Sequence, residues 1–161
     1  MHEPLSDEVA NEGFAQVVVP GRLETISPSS DGAPVVVMDV AHNPDGVSAL
    51  VSGLVDTFSF ERVIFVVGIL GDKDHLGMLT ELARVPCSLI LTQPKSVRSV
   101  PIRELTETAE RVGLETRVSD EVADAVKQAI EEARPNDLVV VTGSHYVVGE
   151  ARDFLFGPAE E

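Results

Sequence analysis

Apolar and polar residues alternate in blocks along most of this chain. Short runs that are almost wholly apolar recur, and each is followed by a segment with apolar residues at helical spacing. The runs predict buried strands over Val35–Val40, Val63–Val67, Ser88–Thr92 and Leu138–Thr142, and a weaker edge strand over Leu114–Val118. The intervening segments predict helices over Asp45–Thr57, Leu76–Arg84, Ile102–Val112, a segment capped by Ser119 or Asp120 that runs to Arg134, and His145–Phe156.

Strands that alternate with helices and are apolar throughout are typical of a parallel sheet covered on both faces. The pattern therefore predicts a three-layer, Rossmann-like α/β fold with a mainly parallel sheet. Residues 1–161 are expected to form one domain, with residues 1–13 as a loose polar segment. Two short extended runs around the Pro20-Gly21 turn are predicted over Phe14–Ile26, followed by a polar loop over residues 27–34.

Composition excludes several classes of protein. The formal net charge is -15, which argues against a nucleic-acid-binding surface and agrees with a highly soluble protein. No apolar run approaches the length needed to span a membrane, and the N-terminus does not resemble a signal peptide. Cys87 is the only cysteine, so an intramolecular disulfide is impossible and a cytoplasmic location is expected.

Three loops that follow predicted strands contain distinctive polar residues. Residues 39–44 read Asp-Val-Ala-His-Asn-Pro, residues 68–75 read Gly-Ile-Leu-Gly-Asp-Lys-Asp-His, and residues 142–146 read Thr-Gly-Ser-His-Tyr. In a parallel sheet the carboxyl ends of the strands lie on one edge, where ligands bind in folds of this type. The sequence therefore predicts that the three loops meet at one site.

Several side chains of these loops have both a structural and a functional interpretation. Asp39 suits hydroxyl donors such as those of a ribose, or the support of a turn. His42 is equally compatible with a ligand contact and with an ordinary loop position. Asn43 before Pro44 is typical of a helix cap, which does not exclude a ligand contact. Ser144 has the same dual interpretation, because a helix N-terminus that it caps also suits an anion.

Lys73 supplies a cation to the second loop, in which Asp72 or Asp74 is the expected helix cap. The loop lacks the G-x-x-x-x-G-K-[ST] pattern of a P-loop, and no other stretch has it. A serine hydrolase is disfavoured because Ser144 is not in a G-x-S-x-G elbow. A metal site built from His42, His75 and aspartates is disfavoured because the spacing is unlike that of H-E-x-x-H sites.

Four motifs together resemble the C-terminal domain of the folylpolyglutamate synthase/dihydrofolate synthase family, within the Mur ligase superfamily. They are Pro20-Gly21-Arg22-Leu23-Glu24, the Asp39–Pro44 loop (similar to the family's D-G-A-H-N-P), the loop ending in Asp72-Lys73-Asp74, and Thr142-Gly143-Ser144 followed by Tyr146, Val148, Gly149, Glu150 and Arg152. The resemblance extends from about Gly13 to Phe156. Val40 departs from the family's usual glycine and is closer to the muramyl-peptide ligases.

The resemblance implies an ATP-dependent ligase that adds L-glutamate to folate through an acyl phosphate, with possible dihydrofolate synthase activity on dihydropteroate. ATP and Mg²⁺ are the implied cofactors, and the central ATPase domain with its P-loop and metal ligands is absent from this sequence. The chain alone is therefore expected not to catalyse. Alternatives are the C-terminal domain of a muramyl-peptide ligase and a stand-alone Rossmann-type binding or regulatory module.

The resemblance also implies roles for individual residues. Arg22 would contact the ATP phosphates and Asp39 the ribose. His42, the candidate catalytic residue, and Asn43 would lie near the nucleotide and the reacting groups. Lys73 and Ser144 would hold the carboxylates of the incoming glutamate. No metal ligand is expected in this chain.

Overall fold

The fold is described from a computed structural model, which covers residues 21–26 and 33–157. The predictions for the polar segment 1–13, for the extended run before Gly21 and for most of the 27–34 loop lie outside the described residues. The likeness between Gly13 and Pro20 also lies outside them.

The described residues form one six-stranded sheet with the order β1-β2-β6-β3-β4-β5. Strands β2 to β6 run parallel to their neighbours, and β1 pairs antiparallel with β2 at one edge. The strands are β1 (Glu24–Ile26), β2 (Val35–Met38), β3 (Arg62–Val67), β4 (Cys87–Thr92), β5 (Thr116–Ser119) and β6 (Asp137–Thr142). The predicted mainly parallel α/β sheet is therefore confirmed, with β5 at its other edge.

Five helices connect or follow these strands within the described residues. They are α1 (Pro44–Thr57), α2 (His75–Leu82), α3 (Ile102–Val112), α4 (Val122–Glu132) and α5 (His145–Phe156). Buried residues of α1, α2 and α3 belong to one hydrophobic cluster, and those of α4 and α5 belong to another. The two clusters lie on opposite faces of the sheet, which gives the three layers that the sequence predicted.

The strands divide their side chains between these two clusters. In β3, Phe65 and Val67 pack with α1 to α3, whereas Ile64 and Val66 pack with α4 and α5. Successive side chains of a strand point to opposite faces, so a strand covered on both sides must be apolar throughout. This geometry explains why the central strands are continuous apolar runs.

The fourth helix does not begin as the sequence predicted. The N-terminal cap of α4 is Glu121, which makes no side-chain capping hydrogen bond, so the prediction of Ser119 or Asp120 is wrong. Ser119 instead ends β5, and its hydroxyl donates to the carbonyl of Glu121 at 3.2 Å. Ser119, which the local sequence predicted as a helix cap, thus pairs with β4 as the last residue of β5.

The order of the strands creates a crevice at the carboxyl edge of the sheet. Strand β6 lies between β2 and β3. The chain leaves β2 and β3 toward helices on one face, and it leaves β6 toward α5 on the other. Open α/β sheets bind ligands where neighbouring strands diverge in this way.

Candidate functional site

Backbone contacts bring the three polar loops together at this crevice. The amide of Gly143 donates to the carbonyl of Ala41 at 3.1 Å, and the amide of Gly68 donates to the carbonyl of Thr142 at 3.3 Å. Gly143 has φ +110°, and a Cβ there would lie 2.8 Å from the carbonyl oxygen of Gly68. A glycine is therefore required where the loops approach most closely.

Asp39 is buried, and its carboxylate is used by the backbone. The amide of Ala41 donates to Oδ1 at 2.8 Å, and the amide of Leu23 donates to Oδ2 at 2.9 Å. These charge-assisted hydrogen bonds offset the cost of burying the charge. The structural interpretation of Asp39 is therefore correct, and its predicted contact with a ribose stays a prediction.

His42 is oriented by its own loop. Its Nδ1 lies 2.9 Å from the carbonyl oxygen of Val40, which can only accept, so Nδ1 bears the hydrogen. In the neutral ring Nε2 is then the acceptor. The His42 ring also lies beside the His145 ring, with centroids 5.6 Å apart. The loop thus fixes the tautomer that the neutral His42 ring adopts, with Nε2 as its acceptor.

Asn43 caps α1, as one interpretation of the sequence predicted. The backbone of Asn43 is extended, and its Oδ1 accepts from the amide of Gly46 at 2.7 Å, with Pro44 in the first turn. This confirms the structural role. A ligand contact by its amide nitrogen stays a prediction.

The second loop places Lys73 beside two other charged groups. Asp72 contacts Lys73 at 3.3 Å and Arg98 at 2.9 Å. Desolvation acts to raise the pKa of Asp72, but the hydrogen bonds from Lys73 and Arg98 outweigh it and hold the pKa below its usual value. Asp74, rather than Asp72, caps α2, since its Oδ1 accepts from the amide of Gly77 at 2.9 Å.

Ser144 caps α5 from a buried position. Its hydroxyl oxygen accepts from the amide of Val147 at 3.2 Å. The first-turn amides of this helix have no partner inside the helix, and the helix dipole favours an anion at this end. The capping role is confirmed, and it places the helix terminus at the crevice.

The crevice contains a small pocket of about 200 Å³ that gathers cationic and polar groups. Its lining residues are His42, Leu70, Lys73, Arg98, Ser144, His145 and Tyr146. The structure therefore brings together three of the predicted site residues, namely His42, Lys73 and Ser144. Arg22, Asp39 and Asn43 do not line this pocket.

Arg98 is a site residue that the sequence reasoning missed. It lies in the loop after β4, and this loop pairs with the one after β3: the amide of Gly71 donates to the carbonyl of Arg98 at 2.7 Å. A second bond, from the amide of Val100 to the carbonyl of Ile69 at 2.9 Å, completes the pairing. The available signal was that Arg98 follows another strand ending at the same edge.

Arg22 lies at the same edge of the sheet but outside this pocket. The turn that contains it precedes β1, and the carbonyl of Gly21 accepts from the amide of Val40 at 2.8 Å. Arg22 itself is exposed. The side chain of Val40 is buried against the turn, because a Cβ on Gly21 would lie 2.8 Å from its Cγ1. Val40 thus has a packing role in its loop.

A wider depression of about 440 Å³ lies near the ends of β4 and β5. It is lined by Gln93, Pro94, Lys95, Ser96, Val97, Ile102 and Asp120. Its cation is already engaged, since Lys95 contacts Glu121 at 3.1 Å. The smaller pocket is the better candidate because it places two cations, which share the single carboxylate of Asp72, beside a helix N-terminus.

Residues 21–26 and 33–157 contain neither a metal-binding cluster nor a helix able to span a membrane. No three histidine, cysteine or acidic side chains there lie close enough to hold a metal ion. His75 instead contacts Glu104 on α3 at 3.3 Å. Among the same residues, none of the helices has both the length and the apolar character needed to cross a bilayer.

A mainly parallel sheet with a crevice at its carboxyl edge defines a Rossmann-like α/β domain, a class in which ligands bind at this edge. Comparison with protein families is more specific. Residues 21–145 match the family described as Mur ligase, glutamate ligase domain, and the chain belongs to this family. The resemblance noted from the four motifs is therefore confirmed.

Several of the similar proteins are dihydrofolate synthases or folylpolyglutamate synthases. The dihydrofolate synthase/folylpolyglutamate synthase of Mycobacterium tuberculosis is 36% identical over an alignment of 168 positions, which covers 95% of this chain and 34% of that protein. A crystal structure of the Mycobacterium tuberculosis folylpolyglutamate synthase, complexed with ADP and AMPPCP, matches with a TM-score of 0.80 and 34% identity over 98% of this chain and 36% of that one.

A second solved structure is the bifunctional folylpolyglutamate synthase/dihydrofolate synthase of Yersinia pestis, complexed with AMPPNP and Mn ion. It matches with a TM-score of 0.81 and 31% identity, and the match covers 95% of this chain and 35% of that one. The chain thus spans about a third of the length of these relatives and corresponds to the C-terminal domain of the ligase family.

Proposed function

We propose that this chain is the domain that closes over the nucleotide and the amino acid in an ATP-dependent ligase that adds L-glutamate to folate. The observation that supports this most directly is the pocket at the carboxyl edge, where Lys73, Arg98 and the N-terminus of α5 surround a space of about 200 Å³. The protein has a net charge of -15, which repels anions in general. Two cations in one small pocket give that pocket the local positive charge that an anion needs. A dicarboxylate amino acid fits this chemistry.

The proposed reaction has two steps. The γ-phosphoryl group of ATP passes to a carboxylate oxygen of the folate substrate, which gives an acyl phosphate and ADP. The amine of glutamate then attacks the acyl carbon, the bond to the phosphate oxygen breaks, and the amine loses a proton as the amide forms. Both steps depend mainly on positioning and on local positive charge.

The residues of this chain have separate tasks in the proposal. Arg22 contacts the nucleotide phosphates. Lys73, Arg98 and Ser144, together with the α5 amides, hold the two carboxylates of glutamate. His42 lines the same pocket as Lys73, Arg98 and Ser144, with Nε2 as a proton acceptor for the incoming amine. Asn43 is close to the nucleotide in the same arrangement.

The proposal requires a second domain with a P-loop. The sequence contains no such loop, and no metal-binding cluster occurs among the described residues. The fit to Mg²⁺ is therefore poor in this chain, and we assign the metal ligands to the ATPase domain. The nucleotide and manganese ion of the Yersinia pestis structure support ATP and a divalent cation as cofactors. A cytoplasmic location stays part of the proposal.

A ligase assay tests the function. The chain is supplied with a P-loop ATPase domain, on the same polypeptide or as a separate chain, together with ATP, Mg²⁺, L-glutamate and tetrahydrofolate or dihydropteroate. We expect ADP, phosphate and a product longer by one glutamate in equal amounts. No product should form when one of the two domains is left out. Turnover by this chain alone at the same rate would contradict the proposal.

Val40 favours one alternative, the C-terminal domain of a muramyl-peptide ligase. A UDP-muramyl substrate therefore replaces the folate in a parallel assay. Ligation with this substrate and not with the folate would refute the proposed folate ligase function and support the muramyl-peptide ligase. Nucleotide binding without any ligation would instead indicate a stand-alone binding or regulatory module.

A further inference from the structure

Residues 93–100, the Arg98 loop, follow β4 and separate two cavities. Arg98 lines the pocket of about 200 Å³, whereas residues 93–97 line the wider depression of about 440 Å³. Val97 is fully exposed at the border of that depression. Because the loop is open to solvent on this side, packing does not hold it there, and its position depends on polar contacts.

Hydrogen bonds within the Arg98 loop give it a defined shape. The hydroxyl of Ser99 donates to the carbonyl of Pro94 at 2.8 Å, and its amide donates to the carbonyl of Ser96 at 3.0 Å. The hydroxyl oxygen of Ser96 accepts from the amide of Arg98 at 3.2 Å. Pro94 itself packs on Gly68, where a Cβ would lie 2.7 Å from its Cδ. The loop is thus a compact turn, so a contact on one part of it affects the position of the rest.

The Arg98 end of this turn is attached to the loop after β3. The carbonyl of Arg98 accepts from the amide of Gly71 at 2.7 Å, and its guanidinium contacts Asp72 at 2.9 Å. These contacts place the guanidinium at the rim of the smaller pocket. Residues 95–97 lie between Pro94 and Arg98 on the side that is open to the depression.

One carboxylate from α5 holds this open part of the loop. Oε1 of Glu150 accepts from the backbone amide of Lys95 at 2.6 Å, across 55 residues of sequence. The ammonium group of Lys95 contacts Glu121 instead, at 3.1 Å. Glu150 therefore binds the backbone of the loop, and any residue with an amide hydrogen at position 95 can donate this bond. Since the acceptor is charged, the bond is stronger than one between neutral groups.

Helix α5 also forms one wall of the smaller pocket. Ser144 caps the helix there, and His145 and Tyr146 of its first turn line the pocket as well. Glu150 lies less than two turns beyond Ser144 on the same helix. The bond from the Lys95 amide to Glu150 therefore fixes the Arg98 loop relative to the N-terminus of α5.

We propose that Glu150 is a positioning residue, which fixes the Arg98 loop to α5 through the Lys95 amide and thereby sets the position of the Arg98 guanidinium relative to the α5 N-terminus. Glu150 does not line the pocket, so it acts through the loop and not by contact with the amino acid. This inference rests on the proposed function, because it assigns Arg98 and the α5 amides to the carboxylates of glutamate.

The first test uses amide hydrogen exchange on this chain. Glu150→Ala removes the acceptor and is expected to raise the exchange rate of the Lys95 amide roughly tenfold. Glu150→Gln keeps an acceptor oxygen without the charge, so it should give a smaller rise, and it takes the place of Glu150→Ala if that variant does not fold. Glu110→Ala, the same change at an exposed position of α3, is the matched control and should leave this rate unchanged. An unchanged exchange rate of the Lys95 amide in the Glu150 variant would overturn the proposal.

The second test uses steady-state kinetics with the ATPase domain supplied. Glu150→Ala is expected to raise KM for glutamate roughly fivefold and to add little in an Arg98→Gln background, because both changes weaken the same interaction. KM for ATP should stay unchanged, and Glu150→Gln should recover most of the affinity for glutamate. Lys95→Ala removes the lysine charge but keeps the amide that Glu150 binds, so it should change neither KM value. A rise in KM for ATP as large as that for glutamate would refute the positioning role.

The two tests separate this inference from the proposed function. A wild-type protein without ligase activity would refute the proposed function, while the exchange data would still decide whether Glu150 holds the Arg98 loop. An active wild type in which the Glu150 and Arg98 effects are additive would retain the proposed function and refute the positioning role.

Discussion

The guanidinium of Arg98 lies 2.9 Å from the carboxylate of Asp72, across 26 residues of sequence. Lys73 contacts the same carboxylate at 3.3 Å. One carboxylate therefore pairs with two cations at the rim of the pocket, so the site has a positive group to offer a second carboxylate. A bound amino acid with two carboxylates is the kind of ligand that would use it.

Arg98 is expected to determine the affinity for glutamate. Arg98→Gln removes a forked donor, and we expect KM for glutamate to rise roughly tenfold, which corresponds to about 1.5 kcal/mol of a charge-assisted hydrogen bond. Arg98→Lys should give a smaller rise because it keeps the charge but not the fork. The measurement is the KM for glutamate and for ATP in the two-domain ligase assay.

Arg103→Gln is the matched control for this prediction. Arg103 lies on α3, is 90% exposed and pairs only with Glu107 in its own helix among the described residues. It should leave both KM values unchanged. Equal effects of the two arginine changes, or an Arg98 effect on ATP alone, would contradict the assignment.

His42 is expected to act through Nε2, since Nδ1 is bound to the carbonyl of Val40. Nitrogen NMR of the His42 ring in its neutral form should show the hydrogen on Nδ1. His42→Asn keeps a donor near the Nδ1 position and removes Nε2, so it should fold normally and lower kcat by about a hundredfold, the typical effect of losing a general base. Wild-type kcat in this variant would exclude proton transfer at Nε2.

Most of the fold follows from the sequence pattern for a physical reason. The strands of a sheet covered on both faces must be apolar throughout, so their positions are visible in the sequence. Caps that depend on neighbouring residues alone were also predictable: Asn43, Asp74 and Ser144 all bond to amides three residues ahead.

The rest of the site depends on contacts between distant segments. Ser119 was expected to cap a helix, but pairing of β5 with β4 makes it the end of a strand. Arg98 reaches the pocket only because its loop pairs with the loop that follows β3. The partner of Asp39, the Leu23 amide, is 16 residues away and belongs to a left-handed turn. Patterns within a short stretch of sequence do not predict contacts between residues that are far apart in the chain.

Gly143 is expected to be essential for the shape of the crevice. In Gly143→Ala the new Cβ would lie 2.8 Å from the backbone oxygen of Gly68, and the residue would have to keep φ +110°. We expect a loss of about 2 kcal/mol or more in the free energy of unfolding, measured by urea denaturation.

Gly149→Ala is the control for this prediction. Gly149 is exposed on α5, and no heavy atom other than those of its chain neighbours and of the backbone of its own helix lies within 4 Å of the position of a Cβ. An alanine there should raise the free energy of unfolding by about 0.5–1 kcal/mol because it favours the helix. A tolerated Gly143→Ala would show that the loops can separate without cost.

The pair of Asp137 and Arg62 links β6 to β3 at the amino ends of both strands, with the guanidinium 2.7 Å from a carboxylate that is only 3% exposed. Desolvation acts to raise the pKa of Asp137, but the hydrogen bonds from Arg62 and from the Arg134 amide outweigh it and lower the pKa below 3.8. A carboxyl with a lowered folded-state pKa stabilises the protein above its unfolded-state pKa and loses that contribution as the pH falls through the folded-state value.

Asp137→Asn is therefore expected to lower the free energy of unfolding by about 1.5 kcal/mol at pH 7. The difference from wild type should stay constant down to about pH 5 and shrink progressively below it, as the carboxyl takes up a proton in the unfolded chain with its ordinary pKa of 3.8. Urea denaturation across this range measures it, with exposed Asp153→Asn on α5 as the control. A difference that is the same at pH 2.5 and pH 7 would mean that the Asp137 charge contributes nothing, and that packing alone explains the effect.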